Sequence, residues 1–178
     1  MKKRIRKAAI IGSGTMGSGI AAQLANAGIP SYLLDIVPKY TDEDKAKGVD
    51  PNSPAFRNRI AENNKALALK TRQFMDKELA DLVTCGNMED NLEWLSEVDW
   101  IVEAVPENLQ IKKDLLKKIQ PYVKPGTIVS SNTSTISITT MAEDMPLEFR
   151  QYWLGTHFFN PVRFMKLLEI IPGKDTLP

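Results

Sequence analysis

The stretch Ala8-Ala-Ile-Ile-Gly-Ser-Gly-Thr-Met-Gly17 constrains the fold more than any other part of the chain. Four apolar residues ending on a glycine read as a buried strand. A helix is expected from about Met16 to Ala27, with Ile20, Leu24 and Ala27 on one face and Gly28 placed to end it. Ser31-Tyr-Leu-Leu-Asp-Ile36 reads as a second strand. Strand, helix and strand within roughly thirty residues is the signal of a parallel βαβ unit. The connecting Gly12-Ser-Gly14-Thr15-Met16-Gly17 follows G-x-G-x-x-G. That pattern alone is weak, but here it follows a strand and opens a helix, as its mechanism requires. The first glycine makes the tight turn, the second lets a pyrophosphate approach the backbone, and the third lets helix and strand pack closely. The helix N-terminus then offers unpaired N–H groups to the phosphates.

Asp35 adds an independent signal, 18 residues beyond Gly17 at the end of the second strand. An acid there accepts from the adenosine ribose hydroxyls and repels a 2′-phosphate. Ile36 and Val37 follow it, where an NADP site often places Arg. The expected cofactor is therefore NAD. The expected fold is α/β: a Rossmann-type, doubly wound, mostly parallel sheet with helices on both faces.

The rest of the chain continues the alternation. Residues 38–52 are polar and turn-rich, and Ser53-Pro54 is a helix start. Phe56, Ile60, Leu67 and Phe74 recur at heptad-compatible spacing and predict one packed helix over about 55–75, with 76–82 as a continuation and Asn63-Asn64 interrupting the stripe. Together these make a helical insertion at about 38–82. Further strands are expected at Val83–Cys85, Asp99–Val105, Thr127–Ser131, Tyr152–Thr156 and Met165–Ile171, and helices at Asn91–Glu97, Asn108–Tyr122 and Ile136–Met145. On the basic helix, Lys112, Lys113, Lys117 and Lys118 read as a solvated face.

Composition closes several doors. One histidine, His157, and one cysteine, Cys85, cannot build a Cys/His zinc site, and no metal is expected. A net charge of +1 gives no reason to propose nucleic acid or a membrane as partner. The basic start Met1–Lys7 resembles the opening of a signal peptide, but Gly12, Gly14, Gly17 and Gly19 leave no continuous apolar segment after it. A cytoplasmic protein is expected.

Later motifs narrow the reading. Glu103-Ala-Val-Pro-Glu107, Ser131-Asn-Thr-Ser134, Gly155-Thr-His-Phe-Phe-Asn-Pro161 and Met165-Lys-Leu-Leu-Glu-Ile-Ile171 occur in this order. The chain resembles the NAD-binding domain of the L-3-hydroxyacyl-CoA dehydrogenases of fatty-acid β-oxidation over nearly its whole length. Its long insertion is similar to that of the large bacterial and archaeal members that also carry an enoyl-CoA hydratase region. The resemblance implies an acyl-CoA substrate. It implies that Asp35 holds the adenosine ribose, and that Glu107, Lys112 and Asn132 lie near the nicotinamide half of the cofactor. It further implies that Ser134 bonds the reacting oxygen, that His157 is the catalytic base paired with Glu169, and that Asn160 shapes the same pocket.

The residues support this chemistry on their own terms. Gly12, Asp35, Pro106-Glu107, Asn132–Ser134 and His157 all fall at ends of expected strands, where open α/β sheets bind ligands. Oxidising a secondary alcohol needs a hydride acceptor and a base, and His suits the second role near neutral pH. Glu169 sits in an apolar strand with Leu167 and Ile171 on its face, which predicts burial and hence a partner. Ser134 reads either as a donor to substrate or as the N-cap of the next helix. Glu103 and Cys85 read as structural. Two rival readings are a β-hydroxyacid dehydrogenase using a catalytic Lys, and a module that holds NAD without turnover. Family members continue into a helical domain that completes the acyl pocket and carries dimer contacts. Residues 1–178 are therefore expected to be the NAD-binding domain alone, binding NAD with little turnover, within a parent that is a homodimer.

Overall fold

The computed structural model describes residues 4–178; the Met1–Lys3 part of the signal-like start lies outside the described residues. Seven strands form one sheet in the order β3-β2-β1-β4-β5-β6-β7. They are β1 (Ala8–Ile11), β2 (Ser31–Asp35), β3 (Val83–Asn87), β4 (Trp100–Glu103), β5 (Ile128–Ser131), β6 (Trp153–Phe158) and β7 (Leu168–Pro172). All neighbouring pairs are parallel except β6 and β7. The order reverses direction between β1 and β4, which opens a crevice at their carboxyl ends.

Side chains alternate between two cores along the strands. Ala8, Ile10, Leu33 and Val102 face α1 (Thr15–Asn26) and its neighbours. Ala9, Ile11, Leu34 and Ile101 face the opposite side. There they pack with α5 (Leu109–Ile119), α6 (Ile138–Met141) and α7 (Leu147–Arg150). Strands buried on both faces read as continuous apolar runs, which is why β1 and β4 were legible.

The insertion departs from its expected single helix. It forms α2 (Asp42–Ala46), α3 (Pro54–Arg57) and α4 (Arg59–Lys70), then a 3₁₀ segment, Lys77–Leu82. The heptad stripe holds at its ends, where Phe56 and Phe74 are buried, and is corrected at Leu67. Leu67 is 55% exposed, and α4 meets the core through Ala61 and Ala68 instead. Small residues allow α4 to lie against Ala21, Ala22 and Ala25 of α1, and a positive-φ turn at Arg72 ends the helical run before Phe74.

A second correction concerns β7. Every residue of it is exposed, and the Glu169 side chain is 48% exposed rather than buried. As the edge strand it has one neighbour, and no helix among the described residues covers it. No helix among the described residues is long and apolar enough to cross a membrane.

Candidate active site

The glycine loop spans the crevice between β1 and β4, and its three glycines have separate reasons. Gly12 has φ +94°, and a Cβ there would lie 2.7 Å from the Ala104 carbonyl oxygen. A Cβ on Gly17 would lie 1.7 Å from the Gly12 carbonyl oxygen. Those two positions are closed by the protein itself. A Cβ on Gly14 would meet nothing within 4 Å. Its bareness serves no contact of the fold and leaves room for an approaching ligand, as a pyrophosphate cradle requires. Gly12, Gly14, Thr15 and Met16 line a cavity of about 750 Å³ that continues past Asp35, Ile36, Met88 and Val105 to Leu115. Asp35 closes the loop from β2. Its Oδ2 accepts from the backbone N–H of Ser13 at 2.6 Å and from the Ser13 hydroxyl at 2.5 Å, while Oδ1 accepts from Ile36 N–H at 2.7 Å.

Behind the cavity stands a buried charge cluster. Lys112 is 1% exposed, which corrects its place on the solvated face of α5. Its Nζ donates to Glu103 Oε1 at 2.7 Å and lies 3.3 Å from Glu107 Oε2. Lys113 is half-buried and pairs with Glu143 at the surface, whereas Lys117 and Lys118 remain exposed. Glu103 accepts in addition from Val105 N–H at 2.7 Å and Ser131 Oγ at 2.5 Å. It therefore ties the turn after β4 to the turn after β5.

Glu107 extends this tie to the Ser134 loop. Its Oε1 accepts from the hydroxyls of Thr133 and Thr135 and from the backbone N–H of Ser134 and Thr135. Burial alone would push the Glu107 carboxyl up, but these hydrogen bonds and the Lys112 charge outweigh it and hold it down to about 2. Asn132 clips the same loop to β6, accepting from Phe158 N–H at 2.8 Å.

His157 and Glu169 are opposed across the antiparallel β6–β7 pair. His157 Nδ1 lies 2.8 Å from Glu169 Oε2, and Nε2 lies 3.0 Å from Ser134 Oγ. A carboxylate only accepts, so Nδ1 carries the proton in the neutral ring and Nε2 is left as the acceptor. Ser134 is not a helix cap; Ser137 caps α6. Asn160 is exposed beyond β6, and its side chain makes no hydrogen bond to the His157 group among the described residues. The sequence reading missed Asn64 at the cavity and the buried Ser13 that donates to Asp35, and treated Glu103 only as structural. The acidic residue inside the apolar β4 strand was the available signal for Glu103.

These features have parallels in known proteins. The profile of the 3-hydroxyacyl-CoA dehydrogenase NAD binding domain matches residues 7–178. A probable 3-hydroxyacyl-CoA dehydrogenase of Bacillus subtilis (strain 168) is 50% identical over 181 residues, covering 100% of this chain and 23% of its own length. One of Deinococcus radiodurans is 45% identical, covering 98% of this chain and 47% of its own. The crystal structure of the (S)-3-hydroxybutyryl-CoA dehydrogenase PaaH1 from Ralstonia eutropha superposes with a TM-score of 0.70 at 32% identity, over 97% of this chain and 56% of that one. The chain thus spans about a quarter to a half of the curated relatives it matches. It belongs to the NAD-binding domain family of the 3-hydroxyacyl-CoA dehydrogenases.

Proposed function

We propose that this domain serves the oxidation of an L-3-hydroxyacyl-CoA to the 3-ketoacyl-CoA, with His157 as the base. The observation that carries the reading is the single imidazole held between Glu169 and Ser134 near the carboxyl end of β6, in the same parallel sheet whose β1 carries the glycine loop at its carboxyl end. Gly12, Gly14, Thr15 and Met16 would face the NAD pyrophosphate, with Gly17 contributing by letting the loop and helix close beneath it; Asp35 would hold the adenosine ribose, with Glu107, Lys112 and Asn132 toward the nicotinamide half. When bound, NAD supplies the hydride acceptor.

The chain's own residues handle the proton. His157 Nε2 takes it from the substrate hydroxyl, and Ser134 Oγ turns from the imidazole to the developing oxygen. Glu169 keeps Nδ1 protonated and stabilises the imidazolium that forms, the role of the third member of a triad. Asn160 is assigned to the wall of the same pocket. In the longer relatives the matched domain is a minority of the protein, and we place completion of the acyl pocket and homodimer contacts in the remainder. The bacterial source of the matched relatives supports a cytoplasmic setting.

The test is acetoacetyl-CoA reduction by a longer protein carrying this domain, beside an NADH titration. His157→Gln should cut turnover by about 10²–10⁴-fold, the scale of lost general-base catalysis, while NADH affinity holds. Turnover that survives the substitution removes His157 from the role.

A further inference from the structure

Helix α4 belongs to the insertion between β2 and β3, yet one of its side chains reaches the glycine loop. Asn64 Nδ2 donates to Ser13 Oγ at 2.9 Å, and Ser13 Oγ donates to Asp35 Oδ2 at 2.5 Å. The direction of this relay is forced. A carboxylate has no proton to give, so the Ser13 hydrogen points at Asp35 and its oxygen accepts from the amide. Ser13 is fully buried, so bulk water does not compete for that place.

The relay decides what Asp35 can offer. The Ser13 backbone N–H and hydroxyl occupy both lone pairs of Oδ2, and Ile36 N–H takes one of Oδ1. One Oδ1 lone pair remains. Asn64 lines the same cavity as Asp35. Its second amide hydrogen and its Oδ1 make no hydrogen bond among the described residues. The edge beside the end of β2 therefore presents an acceptor from Asp35 and both a donor and an acceptor from Asn64. A vicinal diol, in which each hydroxyl donates and accepts, is the chemical complement.

We propose that Asn64 is a positioning and specificity residue of the cofactor subsite, locking Ser13 onto Asp35 and reading the adenosine ribose diol beside it. The inference rests on the NAD assignment of this cavity and adds a residue outside both the glycine loop and the acid.

The test titrates the 178-residue chain with NADH, ADP and 2′,3′-dideoxy-ADP, as wild type, Asn64→Ala and Asn64→Asp. Asp keeps the shape of Asn, gives Ser13 no hydrogen and adds a charge beside Asp35. N64A should weaken NADH and ADP about three- to ten-fold, the scale of one net hydrogen bond or slightly more. N64D should weaken them by more than about ten-fold, through like-charge repulsion. Loss of the diol should cost less affinity in N64A than in wild type, because the two partners are coupled. A packing role alone predicts N64D binding like wild type and an unchanged ratio of ADP to dideoxy-ADP affinity. Either result overturns the proposal. A wild type that binds none of the three ligands overturns the cavity assignment itself, whereas a binding wild type with unaltered variants removes only Asn64.

Discussion

Replacing Lys112 by Met probes the buried cluster behind the cofactor crevice. Met keeps the length and much of the volume of Lys and removes the ammonium. That ammonium lies 2.7 Å from Glu103 Oε1, 3.3 Å from Glu107 Oε2 and 3.3 Å from the Val105 carbonyl oxygen. The Lys112 and Glu103 side chains are 1% and 0% exposed. Without it, Glu103 keeps its donors Val105 N–H and Ser131 Oγ but faces no opposite charge. Deleting one partner of a buried pair costs about 3–5 kcal/mol. At about 2–4 °C per kcal/mol for a chain of this size, K112M should melt about 6–20 °C lower. Adding Glu103→Gln removes the stranded charge and leaves an amide that accepts from Val105 N–H and donates to Ser131 Oγ. The double variant should recover about half or more of the loss, since neutral replacement of a buried pair is often near neutral. Urea denaturation of wild type, both single variants and the double variant measures the cycle. The reasoning is refuted if K112M loses less than about 1 kcal/mol, or if E103Q costs as much in the K112M background as it does alone.

Two further predictions test the loop and its anchor. Gly14→Ala should fold with wild-type stability and bind NADH more weakly, because its Cβ meets only the cavity, whereas Gly17→Ala should lower the melting temperature, because its Cβ would sit 1.7 Å from a carbonyl oxygen; equal melting of the two variants would contradict the division of roles. For Glu107, the folded carboxyl lies at about 2, below its ordinary value near 4.5, so its stabilising contribution is complete above about pH 4.5 and disappears as pH falls toward 2. The stability gap between wild type and Glu107→Gln should therefore stay constant from about pH 8 to 5 and narrow below about 4.5 in urea titrations, and a gap that widens on acidification would reverse the assigned sign.

Much of the site was legible because its signals are local. The strand, glycine loop and helix over Ala8–Asn26 follow from apolar run length and backbone freedom within one short segment. Asp35 follows from its spacing along the same βαβ unit. The pairing of His157 with Glu169 was implied by the family resemblance, and the register that opposes them comes from the antiparallel β6–β7 ladder. The insertion was read less well. Periodicity marked Leu67 as core, but the approach of α4 to an alanine-rich α1 selected Ala61 and Ala68.

By itself, then, the sequence determined the parallel α/β class, the glycine loop and the acid after the second strand, and the approximate places of the strands. Only the tertiary structure decided which of those ends cooperate. Glu103, Lys112 and Ser131 come together because the sheet sets β4 beside β5, and α5 packs behind them. Asn64 reaches Ser13, 51 residues away, because α4 lies against α1. Glu169 is exposed because no helix among the described residues covers β7 at the sheet edge, a fact of packing that no apolar pattern along β7 encodes. Periodicity reports which face of an element is apolar; only packing decides what that face meets.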